Sequence, residues 1–340
     1  MTSRILSLCG LLFFILFSCK NESKPTAANE PQPDPDLAAL NKLLEKNPND
    51  DSLLYRRAEV YYKLDGYDEA LKDLARAMQL DSMQPAYYHL LADVLLDYAR
   101  PNDSRRAIDV LKLAAERFPD RTATLLKLSE FQLIVKQHGD ALITLDKILR
   151  RDPQNAEAFY MAGRVAVDKG DTTAAVASFQ KSVQFDATNP DAWMFLGRIF
   201  TNRNNPKALQ FFDNVLRLDS TNLEAREFKG VFYKRTGDFN NAFNIYRDII
   251  ARSPDYSNAY FDMGAIYLEL DSVSKAYDNF NIAIKTDPLF VKAYYYRGLS
   301  SELLGNKTAA LNDYKQANGM APGFQEAKEA RERLEKNAQK

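Results

Sequence analysis

Eight alanines set the frame for this chain: Ala70, Ala107, Ala141, Ala175, Ala208, Ala242, Ala276 and Ala310 recur at an interval close to 34 residues. Self-similarity at that period means a stack of short supersecondary units, each burying its apolar face only against its neighbours. The repeats run 51–84, 85–121, 122–155, 156–189, 190–222, 223–256, 257–290 and 291–324. In this register the eighth residue is always small: Ala58, Ala92, Ser129, Gly163, Gly197, Gly230, Gly264 and Gly298. Four residues after each framing alanine comes a large side chain: Leu74, Leu111, Leu145, Phe179, Phe212, Tyr246, Phe280 and Tyr314. Repeats 2 and 5 depart by extra residues around Pro101 and a missing one near Pro206, which should distort those turns and leave the helices intact.

The pattern predicts two antiparallel helices per repeat. Small residues at positions eight and twenty let the helix backbones approach closely, and the large residue fills the groove against the neighbouring repeat. Turns such as Leu64-Asp65-Gly66-Tyr67, Lys169-Gly170-Asp171 and Thr236-Gly237-Asp238 supply a helix-ending glycine and then an Asp able to cap the next helix. Pro119, Pro153, Pro254, Pro288 and Pro322 close five of the repeats.

These residues resemble the tetratricopeptide repeat family. The resemblance implies an all-α fold, a right-handed α-solenoid of eight helix-turn-helix repeats over 51–324. Residues 36–50 read as a leading half-repeat whose Leu40 and Leu43 face the first full repeat. Residues 325–340 read as a capping helix, charged except for Ala327, Ala330 and Leu334.

Composition excludes several classes. With 13 Gly and 14 Pro in 340 residues there is little of the turn chemistry an all-β protein needs. Basic and acidic side chains number 45 and 46, so no electrostatic footprint for nucleic acid exists. Two His and two Cys leave almost nothing for a metal site or a disulfide framework.

The N-terminus reads as an address. Arg4 precedes an apolar run from Ile5 to Phe17, too short to span a bilayer, which takes about 20 residues. Leu16-Phe17-Ser18-Cys19 resembles the lipobox of bacterial lipoproteins, a family cleaved before the cysteine and acylated on its sulfur. The resemblance implies that residues 1–18 are a signal peptide and Cys19 the lipidation site, which would leave no internal disulfide in the mature chain. Lys20 directly after the anchor leans towards the outer membrane of a Gram-negative envelope, facing the periplasm. Residues 19–35 form the acylated Cys and a disordered tether holding Pro25, Pro31, Pro33 and Pro35, able to reach up to roughly 50 Å at about 3.1 Å per residue.

The family lines its concave groove with the second, fifth, ninth, twelfth and thirteenth residues of each first helix. Here these include Tyr55, Glu59 and His89 in an acidic and aromatic start. Tyr160, Arg164, Arg198 and Lys234 form a mostly basic middle, and Phe261, Leu268 and Tyr295 an apolar end. Such a gradient suits an extended peptide or a helix of a protein partner. No repeat has Lys at position five or Asn at position nine of its first helix, which argues against a chaperone-tail receptor.

Catalysis finds little to work with. His138 falls in an inter-helix loop, and His89 has only Asp93, one turn on, to orient its imidazole. There is no phosphate loop, nucleophile elbow or metal-binding helix. The expectation is a lipid-anchored scaffold with protein partners, membrane contact through the lipid alone, and no cofactor, metal, nucleic acid or small-molecule substrate. The alternative is an accessory subunit of an envelope enzyme or of a secretion or motility machine.

Overall fold

The computed structural model describes residues 34–338. The stretches expected to be a signal peptide and, up to residue 33, a tether, together with Cys19, lie outside the described residues. Among the described residues there are eighteen α-helices and no strand. They are α1 (Pro35–Lys46), then the repeat pairs α2 (Asp51–Lys63) and α3 (Tyr67–Leu80), α4 (Pro85–Tyr98) and α5 (Asp103–Arg117), and α6 (Thr122–Ile134) and α7 (His138–Arg151). Next come α8 (Ala156–Asp168) and α9 (Thr172–Phe185), α10 (Pro190–Asn202) and α11 (Lys207–Leu218), and α12 (Leu223–Arg235) and α13 (Phe239–Arg252). Last are α14 (Ser257–Glu269) and α15 (Val273–Thr286), α16 (Val291–Leu303) and α17 (Lys307–Met320), and α18 (Gln325–Ala338). We call the first helix of each pair A and the second B. The chain divides into two compact units, one ending at Tyr87 and one beginning at Tyr88.

In the N-terminal unit, Asp34 caps α1 by accepting from the Asp36 and Leu37 amides, with Pro35 at the first helical position, where its missing N–H costs nothing. Leu40 and Leu44 are the buried residues of α1, whereas Leu43 is exposed; the i, i+4 spacing, not i, i+3, is the one that faces α2. Arg57 on α2 clamps the unit, donating to both carboxylate oxygens of Asp73 at 2.7 Å and to Asn41 of α1 at 2.8 Å.

The C-terminal unit stacks its pairs in chain order, and each framing alanine from Ala107 to Ala310 is fully buried. The eighth residue does more than bring backbones together. A Cβ on Gly163 would stand 2.5 Å from the Phe179 ring of the same repeat, and on Gly197 only 2.3 Å from Phe212. Gly230, Gly264 and Gly298 stand in the same relation to Tyr246, Phe280 and Tyr314. Each ring therefore lies over its own repeat's glycine. Its other side meets the next repeat: Phe179 stacks on Phe195 at 4.8 Å, and Phe212 on Phe228 at 5.7 Å. One aromatic side chain thus ties helix B to helix A and repeat to repeat.

The A–B turns need one residue in left-handed backbone, and glycine supplies it only in part. Gly170 does so at φ 75°, with the Asp171 amide reaching back to the Ala166 carbonyl at 2.8 Å. In the first repeat Asp65, at φ 57°, takes the position and Gly66 stands after it as the N-cap of α3. Between repeats, proline is not the only stop. Asp186 and Asp219 end α9 and α11 without one, each accepting from the amide and hydroxyl of the Thr two residues on, at 2.8 and 2.6 Å. At the far end, Ala327, Ala330 and Leu334 of α18 are buried against α17.

Candidate partner-binding face

Along the C-terminal unit, A helices pack on A helices: α6 on α8, α10 on α12, α12 on α14 and α14 on α16. This places the fifth- and ninth-position side chains of successive repeats along one face. Their environments differ sharply, and the difference follows from what each neighbour offers.

In the N-terminal unit, Tyr55 stacks on Tyr87 with centroids 5.0 Å apart, while the Tyr87 hydroxyl donates to Asp51 at 2.5 Å. Burial and that carboxylate push the Tyr87 hydroxyl up to about 12. Glu59 lines a cavity of about 250 Å³ between α1 and α2 with Arg56, Lys63 and Leu43.

In the C-terminal unit, His89 is half-buried and its Nε2 lies 2.9 Å from the Thr124 hydroxyl. Asp93 does not orient it; that carboxylate is 2.8 Å from Lys127. Burial, together with Lys127 and Arg121, lowers the His89 imidazole to about 4, so it is neutral at physiological pH. His138 is likewise more than a solvated loop residue: it opens α7 and its Nε2 lies 2.5 Å from Asp168.

Tyr160 packs between Phe179 and Phe195, and burial raises its hydroxyl. Arg164 sits over the Tyr160 ring at 5.9 Å and reaches Glu130 only at 3.5 Å. Arg198 is exposed, with its guanidinium 5.2 Å from the Phe228 centroid and, among the described residues, no ion pair to a carboxylate. Lys234, by contrast, is paired with the buried Asp262. Its charge is committed to the fold.

At the C-terminal end, Phe261 lies within a ring cluster, 5.5 Å from Phe280, 4.9 Å from Phe290 and 5.5 Å from Tyr296. Tyr295 meets Tyr296, Tyr314 and Phe324 at 5.2–5.7 Å. Leu268 is half-buried in the last turn of α14. Phe261 thus joins repeat 7 to repeat 8, Tyr295 packs within repeat 8 beside the cluster that holds Ala330 and Leu334 of α18, and all three present only part of their surface.

One residue of this face, Glu227, was not singled out from the sequence. It occupies the fifth position of its repeat and accepts from the Tyr256 hydroxyl at 2.5 Å, and burial pushes its carboxyl up. Register alone identifies it, since it is the counterpart of Tyr160, Phe261 and Tyr295. Among the described residues no group of three His, Cys, Asp or Glu is arranged to hold a metal ion.

A stack of helix pairs with this spacing, and an A-helix face bearing aromatic and cationic side chains, defines a helical-repeat protein. Residues 137–190 and 160–222, within repeats 3–5, match the tetratricopeptide repeat family model. The chain is 21% identical over 285 residues to the DnaJ homolog subfamily C member 7 homolog of Dictyostelium discoideum, covering 78% of this chain and 48% of that one. Its counterpart in Schizosaccharomyces pombe is 24% identical over 290 residues, covering 76% and 61%. This chain spans between about half and three-fifths of the length of those two relatives. Among solved structures, a tetratricopeptide repeat protein from Parabacteroides merdae is similar with a TM-score of 0.56 at 20% identity, over 73% of this chain and 98% of that one. That likeness is one of fold.

Proposed function

We propose that this chain is a lipid-anchored scaffold of a Gram-negative cell envelope, acylated at Cys19, held at the outer membrane facing the periplasm, and binding protein partners on its A-helix face. The observation that carries the reading is a juxtaposition in the chain. Leu16-Phe17-Ser18-Cys19 ends an apolar run of secretory type, a proline-rich stretch follows, and every helix in 34–338 then belongs to the repeat array or its ends. Anchor, spacer and array together suit a protein that positions others. The A-helix face supports the binding half of the reading, because Arg198 and the partly exposed Tyr160 and Arg164 retain surface that the fold does not use up. The match of residues 137–222 to the tetratricopeptide repeat family model supports protein partners over small molecules.

Two experiments test the halves separately. Cys19→Ser should abolish acyl labelling and release the protein from the membrane fraction; a variant that still carries label and sediments with membranes removes the anchor from the account. Crosslinking of the intact chain in its native envelope should trap a protein partner, and combined Tyr160→Ala and Arg198→Ala substitution should weaken that capture, more so at low salt. Unchanged capture by a folded double variant would move the binding site off the A-helix face.

A further inference from the structure

Glu227, half-buried at the fifth position of repeat 6, uses only one of its two carboxylate oxygens inside the protein. Oε2 accepts both from the Tyr256 hydroxyl at 2.5 Å and from Asn258 Nδ2 at 3.4 Å. Oε1 accepts from no described residue and keeps contact with solvent. Both donors come from the start of the next A helix: Tyr256 is the N-cap residue of α14 and Asn258 lies in its first turn. The neighbouring repeat therefore fixes one oxygen and leaves the other turned to the groove.

No counter-ion is supplied from within. The buried and half-buried A-helix carboxylates of the C-terminal unit are Asp93, Glu130, Glu227, Asp262 and Glu302. Four of them have a cation within 4 Å, from Lys127, Arg164, Lys234 and Arg333 in turn. Glu227 has none among the described residues. The cations of its own helix are spent elsewhere: Arg226 on Asp248, Lys229 on Asp213, Lys234 on Asp262, and Arg235 on the Asn202 carbonyl. Arg198 of α10 lies over the Phe228 ring instead. Burial and the charges of Asp262 and Glu224 push the Glu227 carboxyl up. The wholly buried Tyr246 hydroxyl is pushed up as well, by burial and by the charges of Asp262 and Glu227. The field here is negative, and a half-buried carboxylate held only by neutral donors is costly until a cation meets it.

We propose that Glu227 receives a cationic side chain, Lys or Arg, from a partner segment bound on the A-helix face. The proposal rests on the scaffold reading and names one recognition element of the partner. Because Tyr256 and Asn258 hold Oε2, the incoming cation meets Oε1 in a carboxylate that does not have to reorganise, and water excluded by docking strengthens the pair. Arg198, one repeat earlier, selects the opposite charge. A segment with acid and base in that order fits, and the reversed order is rejected, so the two residues set its direction along the array.

The test pans a random phage-displayed peptide library on the purified full chain, with inserts of about 12 residues, long enough when extended to cross roughly four repeats. Wild type should enrich peptides sharing a Lys or Arg at one fixed position. Glu227→Gln, which keeps an acceptor for Tyr256, should lose that residue from its consensus, whereas Glu224→Gln should keep it. In anisotropy titrations of the synthetic consensus peptide, changing its basic residue to Ala should weaken wild type at least about tenfold and Glu227→Gln hardly at all. Glu227→Lys should reject the consensus peptide and accept the version with Glu at that position. Unchanged melts would show that the variants fold. No shared basic residue, the same consensus on Glu227→Gln, or equal losses on both proteins would each overturn the proposal. If the envelope partner trapped by crosslinking binds Glu227→Gln normally, the cation site is wrong and the scaffold stands. If no partner is trapped while the library behaves as described, the scaffold reading fails and the cation site remains.

Discussion

Repeats 1–3 and repeats 4–8 solve one packing problem with different atoms. The first three place Ala or Ser at position eight and Leu four residues beyond the framing alanine; the last five place Gly and an aromatic ring there. In every repeat the large residue is at most 1% exposed. The space vacated by a missing methyl is taken by the wider ring. The pair is the conserved quantity of the fold, and neither member has meaning alone. What the exchange adds is reach: a ring lying on its own glycine still has a second side free to stack on the next repeat, as Phe179 does on Phe195. Leucine offers no comparable face.

The strongest way to break that comparison is to remove a ring. Phe212→Ala should cost about 3–5 kcal/mol, because a fully buried aromatic leaves a cavity bounded by two repeats. The loss is read from urea melts, and the transition should broaden as the array uncouples around repeat 5. Next in size is the opposite error. Gly163→Ala puts a methyl 2.5 Å from the Phe179 ring and should cost about 1–3 kcal/mol.

A sharper test combines them. Gly163→Ala with Phe179→Leu recreates the pair found in repeats 1 and 2, so the double variant should be less destabilised than the sum of the singles by on the order of 1 kcal/mol. Additive losses would mean that ring and glycine are not a coupled pair. A smaller contrast separates committed from uncommitted cations. Arg297→Ala strands the buried Asp313 and should be clearly destabilising, whereas Arg203→Ala, at an exposed side chain that only approaches the Phe200 ring at 5.9 Å, should change stability by less than about 0.5 kcal/mol.

The smallest effect is on pH. His89 is depressed to about 4 in the folded chain, so between pH 6.5 and 4 the unfolded chain binds more protons at this residue. Stability contributed by neutral His89 is therefore present above about pH 6.5 and declines as pH falls towards 4. His89→Gln should flatten that slope in melts taken from pH 7 to 5; an identical slope would place the titration elsewhere.

The helices, the eight-repeat register and the buried alanines could be read from the sequence, because a period near 34 samples the same geometry eight times and averages out local exceptions. The exceptions themselves could not. Gly66 is the glycine that marks the first turn, yet Asp65 adopts the left-handed backbone there, since an Asp tolerates it and the helix ends one residue earlier. Leu43 looks as apolar as Leu44, and only the contact with α2 selects between them. On the candidate face, register places residues but does not reveal their partners. Lys234 and Arg198 look alike in sequence, and Asp262 lying beside one of them decides which charge is free. Phe261 and Tyr295 are drawn into ring clusters that include not only the framing Phe280 and Tyr314 but also rings beside helix ends, Phe290 and Phe324, which the repeat pattern does not single out.

The scaffold account is tested most directly by site-specific photo-crosslinking in the native envelope. A photoreactive residue placed at Arg198, on the A-helix face, is compared with one at Ile143, an exposed apolar residue of helix α7. The account predicts a discrete protein adduct from position 198 that disappears when Tyr160 is changed to Ala, with none from position 143. An adduct from position 143 alone would contradict it, and so would no adduct from position 198 in a chain that is folded and anchored.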